Sequence, residues 1–170
     1  TFLDMLNSLT TKQYQQALAK LCKWRVVCLM LITAAVGMSL VPVKYFKVYN
    51  GILSLIGIGL LACASGILNQ LFEQDIDQIM SRTKNRPLVN EQISRQHAII
   101  LVFTFLFTGS IILYIFSNIL TLTLTLFTML GYSYIYTKLL KPNTSQNIVI
   151  GGFFGAMPPL LGWTALTGSL

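Results

Sequence analysis

The chain has 170 residues, of which 54% are hydrophobic and only 10% charged, with a net charge of +7 and a mean hydropathy of +0.68. A water-soluble domain carries about 25% charged residues, so this composition excludes a soluble globular fold and requires lipid to cover much of the surface. The bases lie between apolar runs rather than along one face, which excludes nucleic acid as a partner and leaves anionic lipid or an anionic substrate.

The first 23 residues are mixed polar and contain no apolar core of a signal peptide. The chain lacks an initiator Met and stops at Leu170 just after an apolar run, so the expectation is of a piece cut at both ends. Five stretches then approach the roughly 20 apolar residues that a spanning helix needs: 24–41, 51–72, 98–117, 119–137 and 147–166. The first stops at Pro42, and the fifth is interrupted by Pro158 and Pro159, each of which removes a backbone donor and bends or breaks a helix. Gly51, Gly57, Gly59 and Gly66 in the second stretch, and Gly151, Gly152, Gly155 and Ala156 in the fifth, are small residues that predict close helix approach. Cys22, Cys28 and Cys63 have no metal-ligand spacing and read as small core residues.

The connectors set the orientation. Lys12, Lys20, Lys23 and Arg25 precede the first stretch; Arg82, Lys84, Arg86 and Arg95 fill the long second connector; Lys138 and Lys141 lie in the last. The intervening connectors hold only Lys44 and Lys47. Ten bases against two place the N-terminus and the second and last loops on the cytoplasmic side.

Only five residues are acidic: Asp4, Glu73, Asp75, Asp77 and Glu91. Three of them cluster at the cytoplasmic end of the second stretch, one helical turn after Asn69. Asn69, Glu73 and Asp77 are spaced i, i+4, i+8 and share one face if the helix continues, while Asp75 is off that face. Like charges at i, i+4 repel, and a membrane edge adds a desolvation cost; a cation offsets both. Oxygen ligands suit Mg²⁺, Ca²⁺ or Mn²⁺, and Mg²⁺ commonly takes one or two carboxylates and completes its shell from waters and substrate phosphates. Arg82, Lys84 and Arg86 follow at once, and a diphosphate bridges carboxylate-bound metal to such bases. Taken singly, each of these residues is compatible with a solvated loop. His97, the lone histidine, is compatible with a polar helix cap, a general base or a haem ligand.

These residues resemble the UbiA superfamily of membrane prenyltransferases. Its first aspartate-rich motif, N-x-x-x-[DE]-x-x-x-D, is similar to Asn69, Glu73 and Asp77, and RTKNRPL at 82–88 resembles the segment that follows it in the branch that farnesylates haem. The run from Tyr136 to Lys141, the NIVIGG run at 147–152, the GAMPP run at 155–159, Gly162-Trp163 and the stretch from Trp24 to Met30 are similar to further segments of that branch. Pro142 stands where that branch often has Arg, and Trp24 where it often has Pro. The resemblance implies an all-α membrane fold, with residues 1–170 forming the N-terminal part of a single nine-helix domain whose second aspartate-rich motif is absent from this chain. It implies farnesyl diphosphate and haem B as substrates, haem O as product and Mg²⁺ as cofactor. Asn69, Glu73 and Asp77 would act on the metal, and Arg82, Lys84, Arg86, Lys138 and Lys141 on the diphosphate. A bacterial inner membrane is the implied location, and the piece alone is expected to be inactive. Prenyl transfer to an aromatic quinone precursor, an ion-coordinating transporter and an assembly subunit without chemistry are the alternatives. The acids sit at the membrane edge beside bases rather than at the midplane where transporters place them, which favours a diphosphate.

Overall fold

The computed structural model describes residues 11–141 and 144–170, so Asp4 and Pro142 lie outside the described residues. Helix α1, Thr11–Leu21, is bent by 56° against α2, Trp24–Ser39, with the break at Lys23. A 3₁₀ turn, Val43–Tyr45, leads into α3, Val48–Ile79. Helix α4 is Arg95–Phe116, and α5, Ile119–Leu130, runs on as a ten-residue π-helix, Gly131–Leu140. Helices α6, Asn147–Gly155, and α7, Met157–Thr167, complete the bundle.

Four segments are long and apolar enough to cross a membrane, or five if α1 and α2 count as one broken span. The chain is an integral membrane protein. Its spanning helices expose large apolar side chains such as Leu29, Ile32, Phe103, Phe107 and Ile111, the distribution expected when lipid is the solvent. Cys22 and Cys63 are half-buried, but Cys28 is exposed on α2, so it is not a core residue.

Helix α3 organises the bundle. Its 32 residues span about 48 Å at 1.5 Å per residue, well beyond a hydrocarbon core of about 30 Å. The second apolar stretch ends at 72, but the helix does not: it continues through Asp77, which keeps Asn69, Glu73 and Asp77 on one continuous face. Ile58, Leu61, Ala64 and Ile67 of α3 pack against Ala98, Val102 and Leu113 of α4 and Leu161 of α7 in a single apolar core.

Small residues set the closest crossings, though not all the expected ones. A Cβ on Gly57 would lie 2.8 Å from Leu113 and 3.2 Å from the Gly109 carbonyl oxygen, so α3 and α4 touch there. The tightest approach joins α2 to α7: a Cβ on Gly162 would lie 1.9 Å from the Ala34 carbonyl oxygen, and one on Gly37 2.0 Å from that of Pro159. Gly152 and Gly155 face open space and make no such contact. The break in the last span falls at Ala156, and the prolines occupy the first turn of α7, where a missing N–H leaves no helical bond unmade.

Two side-chain caps fix the ends of the α4–α5 hairpin. Ser94 Oγ accepts from the His97 N–H at 3.3 Å, and Asn118 Oδ1 accepts from the Thr121 N–H at 2.9 Å. Asn118 Nδ2 also donates to the Thr164 carbonyl at 2.8 Å, which ties the hairpin to α7.

Gly162→Leu should therefore destabilise the bundle by about 3 kcal/mol, because a side chain there meets backbone that cannot yield. Gly152→Ala should be neutral or slightly stabilising, since it gains up to about 1 kcal/mol of helix propensity and meets nothing. Thermal unfolding of both variants in detergent checks the contrast.

Candidate metal and diphosphate site

Asn69, Glu73 and Asp77 are 2%, 6% and 3% exposed. Two buried carboxylates one turn apart demand cations, and three arrive from three different elements. Arg86 Nη1 donates to Glu73 Oε2 at 3.1 Å and to Asp77 Oδ2. Lys141 Nζ donates to Glu73 Oε1, and Lys23 Nζ to Asn69 Oδ1. Asn69 Nδ2 donates to Thr137 Oγ1 at 2.7 Å, which sets the amide so that its oxygen faces Lys23.

Each cation is delivered by a distinct local structure. Arg86 rides on the 80–94 connector, which folds back over the end of α3 instead of extending into water. Thr83 Oγ1 donates to the Asp77 carbonyl at 3.3 Å and Gln74 Nε2 to the Leu88 carbonyl at 3.4 Å. Leu88 and Ile93 are buried at 2% and 1% exposure, so burial of apolar side chains pins the connector. Lys141 follows the π-helix, whose wider turn shows in the Thr137 Oγ1 bond to the Tyr132 carbonyl at 2.9 Å and the Lys141 N–H bond to that of Tyr136 at 2.9 Å. The same segment is seated on α3 by Ser65 Oγ and Ser133 Oγ, 2.8 Å apart. Lys23 sits in the break between α1 and α2 with φ of 51°, a left-handed conformation uncommon for a side-chain-bearing residue.

The expected residues are distributed as follows. The structure brings Asn69, Glu73, Asp77, Arg86 and Lys141 together. Arg82 does not touch the acids; it lines an adjoining cavity of about 280 Å³ with Lys20, Lys23, Gln70, Asn85 and Arg86. Lys84 and Asp75 are exposed. Lys138 points away, over the rings of Phe72 and Tyr134 at 5.5 and 5.2 Å. His97 stands at the start of α4, its Nδ1 3.3 Å from Ser94 Oγ. Lys23 and Thr137 were not singled out from sequence. Lys23 had a signal of its own, as a base at the same membrane level as Asn69, but bases there also serve topology.

The residues fit a divalent ion. One guanidinium nitrogen reaches both Glu73 and Asp77, so the two carboxylates converge on a volume that a single small cation can fill. Among the described residues no three His, Cys, Asp or Glu side chains could gather on a metal. An ion held there would have two carboxylates, with the Asn69 amide oxygen one turn away as the remaining candidate, short of six, as would suit Mg²⁺ completed by water and phosphate oxygens. Three cations against two carboxylates leave a surplus positive charge for an anion. On the membrane side lies an apolar cavity of about 270 Å³, lined by Lys23, Val26, Met30, Leu61, Met129 and Leu161 among others.

A polytopic helical bundle with an Asn/Glu/Asp face at one end defines a class, and comparison with known proteins agrees. Residues 30–170 match the UbiA prenyltransferase family, and the chain belongs to that family. It is 46% identical over 151 residues to the protoheme IX farnesyltransferase of Psychromonas ingrahamii, covering 89% of this chain and 49% of that protein. It is 41% identical over 164 residues to protoheme IX farnesyltransferase 2 of Pseudoalteromonas translucida, covering 95% and 53%. The chain thus spans about half the length of these curated relatives. Its fold is shared with a UbiA homolog from Archaeoglobus fulgidus bound to DMAPP and Mg²⁺, with a TM-score of 0.73 and 18% identity over 90% of this chain and 55% of that one.

Arg86→Met should cost about 3 kcal/mol or more, because it leaves the buried Asp77 carboxylate without its cation and takes one of two from Glu73. Adding Asp77→Asn should return part of that loss. A double-mutant cycle on thermal unfolding measures the coupling.

Proposed function

We propose that this chain is the N-terminal part of a membrane prenyltransferase that moves a farnesyl group from farnesyl diphosphate to the vinyl group of haem B, giving haem O. The observation that carries it is the convergence of Glu73 and Asp77 on one cation position, ringed by Arg86, Lys141 and Lys23. The names of the relatives support haem as acceptor.

In this reading Asn69, Glu73 and Asp77 hold Mg²⁺, which when bound offsets the charge of the diphosphate and helps it leave. Arg86 and Lys141 donate to the phosphate oxygens, and their charge-assisted bonds strengthen as negative charge collects on the leaving group. The bond between farnesyl C1 and the diphosphate oxygen breaks, the vinyl carbon bonds to C1, and water adds at the neighbouring carbon with loss of a proton. The apolar cavity beneath Lys23 shields the prenyl chain and keeps water from the allylic carbon. In this reading this end, with the N-terminus, faces the cytoplasm from a bacterial inner membrane, an orientation that the split of bases supports. Residues 1–170 alone are inactive in this reading, since the relatives are about twice as long.

A Mg²⁺-dependent assay of the full-length protein, with haem B and an aromatic acid compared as acceptors of farnesyl, tests this. Transfer to haem B is expected; transfer to the aromatic acid alone would favour a quinone precursor instead. Asp77→Asn should lower the rate by about 10²-fold or more at normal expression, and an unchanged rate would remove Asp77 from the metal.

A further inference from the structure

Lys23 is the one cation of the three that holds a neutral acceptor. Arg86 and Lys141 each hold a carboxylate, but the Lys23 ammonium donates to the Asn69 amide oxygen, the atom that the metal reading requires as a ligand. That oxygen has two lone pairs, but an ammonium and a divalent ion held on it side by side repel each other, so metal binding drives Lys23 away. A place to go lies next door. Gln70, one residue on, is 2% exposed, and its Nε2 donates to the Leu21 and Lys20 carbonyls at 2.7 and 3.3 Å. Those bonds fix the amide, and its Oε1 is a buried acceptor without a hydrogen-bond partner among the described residues. An unpaired buried acceptor is costly. Lys23 and Gln70 line the same cavity, together with Lys20, Arg82 and Arg86.

We propose that Lys23 is a displaceable plug on the metal site, holding Asn69 Oδ1 while no divalent ion is bound and moving to Gln70 Oε1 when one binds. The proposal rests on the metal reading above. The four-carbon stem gives the ammonium the freedom to swing between adjacent residues of α3. The destination is already positive through Lys20, Arg82 and Arg86, so the move is opposed until an anion arrives. Lys23 therefore couples the two ligands: it disfavours metal alone and favours metal together with diphosphate. It is a positioning residue, acting through Asn69 and Gln70.

The test is Mn²⁺ binding to the full-length protein, read by electron paramagnetic resonance with and without farnesyl diphosphate. Lys23→Met should tighten Mn²⁺ binding without diphosphate by about tenfold, in the range of measured site couplings, and should shrink the enhancement that diphosphate gives. Gln70→Leu should act in the opposite direction, weakening Mn²⁺ binding by about fivefold, and should have no effect in a Lys23→Met background. Unchanged or weaker binding in Lys23→Met overturns the plug. Absence of Mn²⁺ binding by the unsubstituted protein even with farnesyl diphosphate overturns the metal reading itself, which separates the two failures. Because the two substitutions act in opposite directions, loss of folding in one leaves the other decisive.

Discussion

Two carboxylates buried at the end of a membrane helix are the constraint on which the rest of this structure depends. Glu73 and Asp77 sit one turn apart on α3, nearly excluded from solvent. Left alone they would repel each other and lose hydration, and neither cost is recovered within the helix. Each neighbouring element answers that demand. The 80–94 connector folds back to supply Arg86, the π-helix after α5 supplies Lys141, and the break between α1 and α2 supplies Lys23 to the adjoining amide.

The same arrangement links stability to chemistry. Internal cations satisfy the acids and, with Lys23 on the adjoining amide, leave surplus positive charge beside them. A site that holds its own counter-ions stays folded without a ligand, and under the proposed function its bonds would be exchanged for ones to metal and phosphate. The apolar frame beneath is closely packed. Glycine at 37 and 162 lets α2 and α7 touch backbone to backbone, and the α3–α4 crossing at Gly57 and Gly109 anchors the helix that carries the acids. Lipid offers apolar groups no reason to associate, so such close packing has to hold the bundle together.

The sequence alone determined the features that rest on local pattern. Apolar runs of spanning length marked the helices, because lipid allows backbone to cross only when it bonds to itself. The spacing of Asn69, Glu73 and Asp77 put three oxygen donors on one face, because helical periodicity is local. The tertiary structure decided what no local pattern encodes. Lys23 meets Asn69 across 46 residues and Lys141 meets Glu73 across 68. Lys138, three residues from Lys141, turns instead to Phe72 and Tyr134 because the π-helix sends the two side chains different ways. Gly162 is a close contact and Gly152, from which one was expected, is not, although both are glycines of one span. Which base reaches an acid, and which glycine a backbone, depends on the register and crossing of helices far apart in the chain. Only packing of the whole bundle sets those.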